Sequence, residues 1–120
     1  MKTITIMADF GNGPYAWLRR NEFENGVGSC IADMCNPIQL GKNLYISEIL
    51  HEKLSAWVTN FEANSDKKSF PWKKWNHEGV ALAKSLKNEV NEKYYVEYHT
   101  PCEDPSYDHL KKEGKHIISI

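Results

Sequence analysis

Histidine and cysteine are the residues of this chain with the strongest capacity to bind a metal ion. The chain has five His and three Cys. His99 and Cys102 are separated by two residues, and Cys30 and Cys35 could complete a tetrahedral set of zinc ligands. Zinc sites normally take such ligands in close pairs on tight turns, whereas Cys30 and Cys35 span an expected strand end next to a proline. We therefore expect no metal, no cofactor and free thiols rather than disulfides.

Nucleophilic or acid–base catalysis would need different neighbours. A catalytic Cys30 or Cys35 requires a nearby His and an exposed, electropositive setting, and neither residue lies in a local catalytic signature. Cys30 falls inside an expected strand, where a small buried side chain is the simpler interpretation. Asp9 and Asp33 could act as an acid–base pair if two strand ends meet, although such residues more often cap turns. We predict no enzymatic activity and keep a small Cys- or Asp-dependent hydrolase as the alternative.

Nucleotide and nucleic-acid binding are both weakly indicated. The Gly11-Asn12-Gly13 segment follows a strand, but Pro14 stands where a phosphate-binding helix should begin. Lysines and aromatic residues interleave over residues 67–75, as in some single-strand binding surfaces. These residues are Lys67, Lys68, Phe70, Trp72, Lys73, Lys74 and Trp75. Since helical spacing separates the lysines from the tryptophans and the net charge is −1, a nucleic-acid-binding module is a second alternative only.

Acidic loops are the remaining chemical feature. They contain Glu22 and Glu24 in one segment, and Glu103, Asp104, Tyr107 and Asp108 in another. Exposed carboxylates increase both the rate and the specificity of binding to a basic protein surface without any reaction. We predict that these six residues bind a basic partner protein.

Composition limits the architecture that positions these residues. A chain of 120 residues corresponds to about one domain, so we expect a single domain over residues 1–120. Asp9 interrupts the apolar start too early for a signal peptide, and no run approaches the length of a membrane span. These features predict a cytoplasmic protein without membrane contact, and they leave the oligomeric state open.

The first half of the chain is typical of a sheet. Alternation predicts a strand over Thr3–Asp9 that is covered on both faces, followed by a turn at residues 11–14. Residues 15–18 predict a short second strand, and the Asn25-Gly26 turn signal predicts a hairpin whose returning strand lies within residues 27–34. Residues 38–46 have the composition of a connecting loop.

The second half predicts two amphipathic helices and two strands. Ser47 should cap a helix over about residues 48–63, with an apolar stripe formed by Leu50, Leu54, Trp57, Val58 and Phe61. A second helix should start near Ser69 and Pro71 and bury Trp72, Trp75, Gly79, Leu82, Leu86 and Val90. A strand over residues 94–98, a short helix over residues 107–113 ending at Gly114, and a closing strand over residues 116–120 complete the prediction.

The order of these signals resembles a known family. The opening strand ends in Ile-Met-Ala-Asp-Phe-Gly, and Gly13-Pro14 and Trp17-Leu18 follow it. It continues with I-S-E-x-L-x-x-x-L-x-x-W up to Trp57, W-x-x-E-G-x-x-L-A-x-x-L-K from Trp75, and Val-Glu-Tyr at residues 96–98. This pattern is similar to small bacterial immunity-like proteins of polymorphic toxin systems, including contact-dependent growth inhibition.

The resemblance implies a function as well as a fold. It implies an α+β fold in which a mixed sheet of about four to five strands packs against two main amphipathic helices. It also implies an immunity protein that binds a cognate toxin domain, most readily a nuclease, and covers its active site or substrate surface. Phe10 replaces a usual Tyr, residues 19–36 form a longer polar segment, and the tail after Tyr98 is an addition. We expect partner specificity in such variable segments.

Overall fold

A computed structural model describes residues 1–20 and 28–120 of the chain. The strands are β1 (Lys2–Ile6), β2 (Ala16–Arg19), β3 (Ser29–Ala32), β4 (Gln39–Gly41), β5 (Leu44–Tyr45), β6 (Tyr94–His99) and β7 (Ile117–Ser119). The helices are α1 (Glu48–Asn64), α2 (Trp72–Val90) and α3 (Tyr107–Lys112), and a short 3₁₀ turn spans Asn91–Lys93.

The strands form a mixed sheet in the order β3-β2-β1-β6-β7. β1 pairs in parallel with β6, while the other neighbours are antiparallel. β4 and β5 form a separate two-stranded hairpin. The predicted α+β class, with five main strands and two long helices in the described part of the chain, is confirmed. No helix within residues 1–20 and 28–120 has the length and apolar character needed to cross a bilayer.

The two faces of the central strand pair have different chemistry. Ile4 lies opposite Val96 and Ile6 opposite Tyr98, and all four side chains are buried in the main core. The other face is polar, since Thr5 Oγ1 donates a hydrogen bond of 2.8 Å to Glu97 Oε1. Arg19 forms an ion pair of 2.9 Å with the same carboxylate. β1 is therefore covered on both faces, as its sequence predicted, although the strand ends at Ile6 rather than Asp9.

Helix α1 begins where its sequence signals place it. Ser47 Oγ accepts a hydrogen bond of 3.2 Å from the backbone N–H of Leu50, which satisfies one of the unpaired donors of the first turn. The Glu89 carboxylate in turn accepts hydrogen bonds of 2.7 Å from both the backbone N–H and the hydroxyl of Ser47. The start of α1 is thus fastened to the end of α2. All five residues predicted for the apolar stripe of α1 are buried.

Two tryptophans join the helices inside the core. The rings of Trp57 and Trp75 stack with centroids 4.4 Å apart and planes 5° from parallel. Each indole N–H donates a 3.0 Å hydrogen bond to the backbone carbonyl of the other residue. Phe61 stacks on Trp75 with centroids 5.3 Å apart. This reciprocal arrangement fixes the distance and register between α1 and α2.

Gly79 allows α2 to approach the sheet closely. An added Cβ at this position would lie 2.6 Å from Cζ2 of Trp57 and closer still to the ring of Tyr98. α2 buries Trp75, Gly79, Leu86 and Val90 as predicted, but Ala83 is fully buried where Leu82 was expected, and Trp72 and Leu82 are half-buried. The helix starts at Trp72, so Ser69 and Pro71, near which its start was predicted, lie before its first residue.

Two expectations about the first half are wrong. Residues 38–46 were expected to form a loop, but they contain the β4–β5 hairpin, whose turn places Asn43 in the left-handed region at φ 57°. Cys30 was expected to be buried, but it is exposed because β3 is the outermost described strand on its side of the sheet. The Asn25-Gly26 turn lies outside the described residues, while β3 supplies the returning strand.

Candidate partner-binding site

The segment after β6 is held against the sheet by its backbone. The N–H of Thr100 donates a 2.9 Å hydrogen bond to the carbonyl of His116, just before β7. Thr100 and Pro101 are buried, and the N–H of Asp104 closes a turn onto the Pro101 carbonyl at 3.1 Å. Proline limits the conformations of this segment, so the loop leaves the sheet in a fixed direction.

Asp104 anchors the loop from within. Its side chain accepts 2.8 Å hydrogen bonds from both the backbone N–H and the hydroxyl of Ser106. The amide of Asn76, on α2, donates a 2.7 Å hydrogen bond to the other carboxylate oxygen, and Asn76 accepts a short hydrogen bond from the Tyr98 hydroxyl. Burial, with a smaller effect of Asp104, raises the pKa of Tyr98, so its hydroxyl remains a donor. Loop, helix and strand are therefore linked by one network.

The predicted partner-binding residues differ in their surroundings. Glu103 and Asp108 are exposed, whereas Asp104 is only 6% exposed and uses its carboxylate in internal hydrogen bonds. Tyr107, interpreted from the sequence as exposed, is half-buried. Glu22 and Glu24 lie outside the described residues. We call the exposed pair Glu103 and Asp108 the acidic rim.

Tyr107 belongs to an aromatic cluster that fastens α3 to the sheet. Its ring lies 6.3 Å from that of His99 and 5.8 Å from that of His116, measured between centroids. His99 Nδ1 makes a 2.8 Å hydrogen bond to the carbonyl of Thr100. Lys111 approaches the Tyr107 ring from α3, with its Nζ 6.0 Å from the centroid. The position of the acidic rim therefore depends on two histidines.

Acidification should destabilise this cluster. Burial lowers the pKa of His99, and the nearby His116 and Lys111 lower it further, against opposing effects of the Thr100 carbonyl and Glu97. Because the folded pKa lies below the unfolded one, the stabilisation is complete above about pH 6.5 and is lost as pH falls toward the folded pKa. We expect the unfolding free energy from urea titrations to decrease from pH 7.5 to 5.

A matched pair of variants isolates that contribution. His99→Gln should give a flatter dependence of stability on pH than the parent protein, because the buried titrating group is gone. The same substitution at His77, an exposed residue of α2, is the control and should keep the parent slope. Equal slopes for the parent and His99→Gln would contradict the assignment.

A groove opens beside the loop, between α2, α3 and β7. It has a volume of about 1120 Å³, and the inner side of the loop (Asp104, Pro105 and Ser106) forms part of its wall. Trp72 and Val80 of α2, Leu110 of α3 and Ile118 of β7 supply apolar surface. Lys73, Lys74, His77 and Lys115 supply the basic groups of its lining. We call this feature the α2–α3 groove.

The catalytic alternatives receive little support from the geometry. Although the Cys30 residue is exposed overall, partial desolvation of its thiol raises the thiol pKa. The carboxylates of Asp33 and Asp9 raise this pKa further, against a lowering effect of the Ala32 carbonyl, so the unreactive protonated form is favoured. Asp33 serves its own turn by accepting 2.9 Å hydrogen bonds from the N–H of Cys35 and the side chain of Asn36. Among residues 1–20 and 28–120, no three His, Cys, Asp or Glu side chains gather as metal ligands would.

The lysine-rich segment that leads into α2 directs two of its three aromatic rings into the core. Phe70 and Trp75 are buried and pack against each other with centroids 5.7 Å apart. Their faces are therefore unable to stack on nucleotide bases, while Lys68, Lys73 and Lys74 are exposed beside them. This separation is the one that helical spacing predicted.

Comparison with known families shows which family the chain belongs to. A profile of the Serratia CdiI immunity protein-like family matches residues 2–101, which include strands β1 to β6 and both long helices. The chain belongs to this family. The family resemblance predicted from the sequence is thereby confirmed. No curated protein matches the chain.

The family match ends at the base of the candidate site. Residues 102–120, which include the acidic rim, α3 and β7, lie beyond the matched range. The matched part supplies α2 and its Asn76, and the remaining part supplies the loop that Asn76 holds. The CdiI-like scaffold and the additional segment therefore build the α2–α3 groove together.

Sequence reasoning missed Asn76 and His116, and it considered His99 only as a metal ligand and not as a neighbour of Tyr107. Asn76 follows Trp75 on α2 and has no local signature, because its partners come from β6 and the following loop. His99 and His116 are 17 positions apart and meet only because β6 and β7 are antiparallel neighbours. Their proximity could have been predicted only by pairing β6 with β7.

Proposed function

We propose that this protein is an immunity protein that binds and neutralises a cognate toxin domain in the bacterial cytoplasm. The observation that carries the proposal is membership of the Serratia CdiI immunity protein-like family over residues 2–101. The exposed carboxylates of the acidic rim support it, because they suit a protein that recognises a basic surface. Inhibition would be steric and electrostatic, without a reaction catalysed by this chain.

A nuclease is the toxin class that fits this charge best. Nucleases bind phosphate backbones through Lys and Arg, so their substrate surface is basic and complementary to Glu103 and Asp108. Bound there, the immunity protein would exclude nucleic acid from the active site. Glu22 and Glu24 belong to the same proposal, whereas Asp104 would act by holding the loop in place. Tyr107 would add contact area at its exposed edge.

Co-expression tests the proposal directly. The toxin domain encoded beside this gene should arrest growth alone and become harmless when this protein is co-expressed. The two proteins should also co-purify as a stable complex. If growth arrest persists and no complex forms, the proposed function is wrong.

Charge reversal tests the role of the acidic rim. The double substitution Glu103→Lys/Asp108→Lys should lower the association rate with the toxin domain by about tenfold, because electrostatic steering acts mainly on association. Surface plasmon resonance at low and physiological salt measures the effect, which should shrink as salt rises. The matched control is Glu52→Lys/Glu92→Lys, which reverses two other exposed carboxylates. Equal association rates for the two double variants would exclude the acidic rim from the interface.

A further inference from the structure

The α2–α3 groove is larger than a typical small-molecule site. Its volume of about 1120 Å³ compares with roughly 300–1,000 Å³ for pockets that hold drug-sized ligands. Three different elements line it with apolar side chains, of which Ile118 is 40% exposed. Such a shape and composition suit a peptide segment with an apolar face, as when an amphipathic helix lies in a hydrophobic groove.

The charges around the groove indicate which charge the polar face of that segment would carry. Lys73 and Lys74 are exposed and form no ion pair with any residue in the described parts of the chain. Lys115 is paired with Glu113 at 3.1 Å. Among the described residues that line the groove, Asp104 alone has a carboxylate, and it accepts hydrogen bonds from Asn76 and Ser106. The described lining of the groove therefore has more positive than negative charge, since it contains three lysines and one carboxylate.

We propose that the α2–α3 groove docks an amphipathic segment of the toxin that presents apolar side chains to the floor and carboxylates to Lys73 and Lys74. This inference rests on the proposed function, since it assigns the segment to the cognate toxin. The loop containing Asp104 connects the two surfaces, because Asp104, Pro105 and Ser106 line the groove while the preceding residue, Glu103, is exposed and does not line it. The toxin would thus meet negative charge on one side of the loop and positive charge on the other.

Opposite charges on the two sides of one loop would determine how the toxin binds. A basic surface of the toxin placed over the groove would face Lys73 and Lys74. An acidic segment of the toxin placed over the acidic rim would face Glu103. Both misplacements bring like charges together, which disfavours incorrect orientations. The arrangement would therefore select one orientation of the complex.

The experiment measures toxin binding by calorimetry with charge-reversed groove variants. Lys73→Glu/Lys74→Glu should weaken affinity for the adjacent toxin domain by at least about tenfold, a change of roughly 1.4 kcal/mol. Lys53→Glu/Lys84→Glu is the matched control, because it reverses two exposed lysines that do not line the groove. Both variants should keep the parent melting temperature, since all four side chains are exposed.

The possible outcomes separate this inference from the proposed function. If the toxin is neutralised but the groove variant binds it as tightly as the control does, the groove inference fails and the proposed function stands. Stronger binding by the groove variant would show a basic occupant and would also overturn it. A change in oligomeric state of the unbound protein on reversal would assign the groove to a second copy instead. If neither the parent protein nor any variant binds the toxin, the proposed function itself is wrong.

Discussion

Trp75→Ala is expected to lower the unfolding free energy by about 3–5 kcal/mol, the usual range for removing a large buried aromatic side chain. Trp75 is 1% exposed and contacts the rings of Trp57, Phe61, Phe70 and Trp72. The substitution would leave a cavity between the helices and remove the N–H that donates to the Trp57 carbonyl. Since small domains have roughly 5–15 kcal/mol of total stability, much of the protein would unfold at moderate temperature.

Urea titration followed by far-ultraviolet circular dichroism measures this loss. Trp75→Phe keeps most of the ring volume and should cost less than the alanine variant. Tyr95→Ala is the surface control, because Tyr95 is 56% exposed and truncating it removes little buried area. Comparable losses for Trp75→Ala and Tyr95→Ala would show that the stacked pair does not hold the helices together.

Gly79→Ala should destabilise the protein although alanine favours helices. Alanine in place of glycine contributes up to about 1 kcal/mol within a helix. The new methyl group would lie 2.6 Å from Cζ2 of Trp57, whose indole N–H is bonded to the Trp75 carbonyl and cannot move freely. Overpacking in a close-packed core typically costs about 1–3 kcal/mol, and clashes with two buried rings place this site at the upper end. We expect a net loss of about 2 kcal/mol.

An exposed position on the same helix supplies the comparison. Asn88→Ala should change the unfolding free energy by less than about 0.5 kcal/mol, because its side chain faces solvent. Thermal melts of both variants measure the difference. A Gly79→Ala protein as stable as the parent would mean that α2 and the sheet can separate by several tenths of an ångström without cost.

The helices were predictable because their apolar positions repeat over several turns. The stripe from Leu50 to Phe61 is entirely buried, and Ser47 caps the helix as its position suggested. The β4–β5 hairpin was missed since strands of three and two residues are too short to show alternation. The exposure of Cys30 was missed for a different reason, as it depends on the place of β3 in the sheet order.

The candidate site was only partly predictable. The acidic composition of residues 103–108 is visible in the sequence, but Asp104 is buried and hydrogen-bonded to Asn76, which lies 28 positions earlier. The α2–α3 groove combines residues from Pro71 to Ile118, so no local pattern could indicate it. Lys73 and Lys74 were correctly separated from the core by helical spacing, yet their place beside an apolar groove depends on the docking of α3.

The parallel pairing of β1 with β6 has a consequence for the timing of folding. Thr5 and Glu97, which are hydrogen-bonded neighbours in the sheet, are separated by 92 positions along the chain. Contacts between such distant positions require closure of a long loop, and they slow folding relative to local helix formation. During synthesis, α1 and α2 emerge before β6, so the helices are available while β1 still lacks its central partner. The sheet can be completed only when nearly the whole chain has left the ribosome.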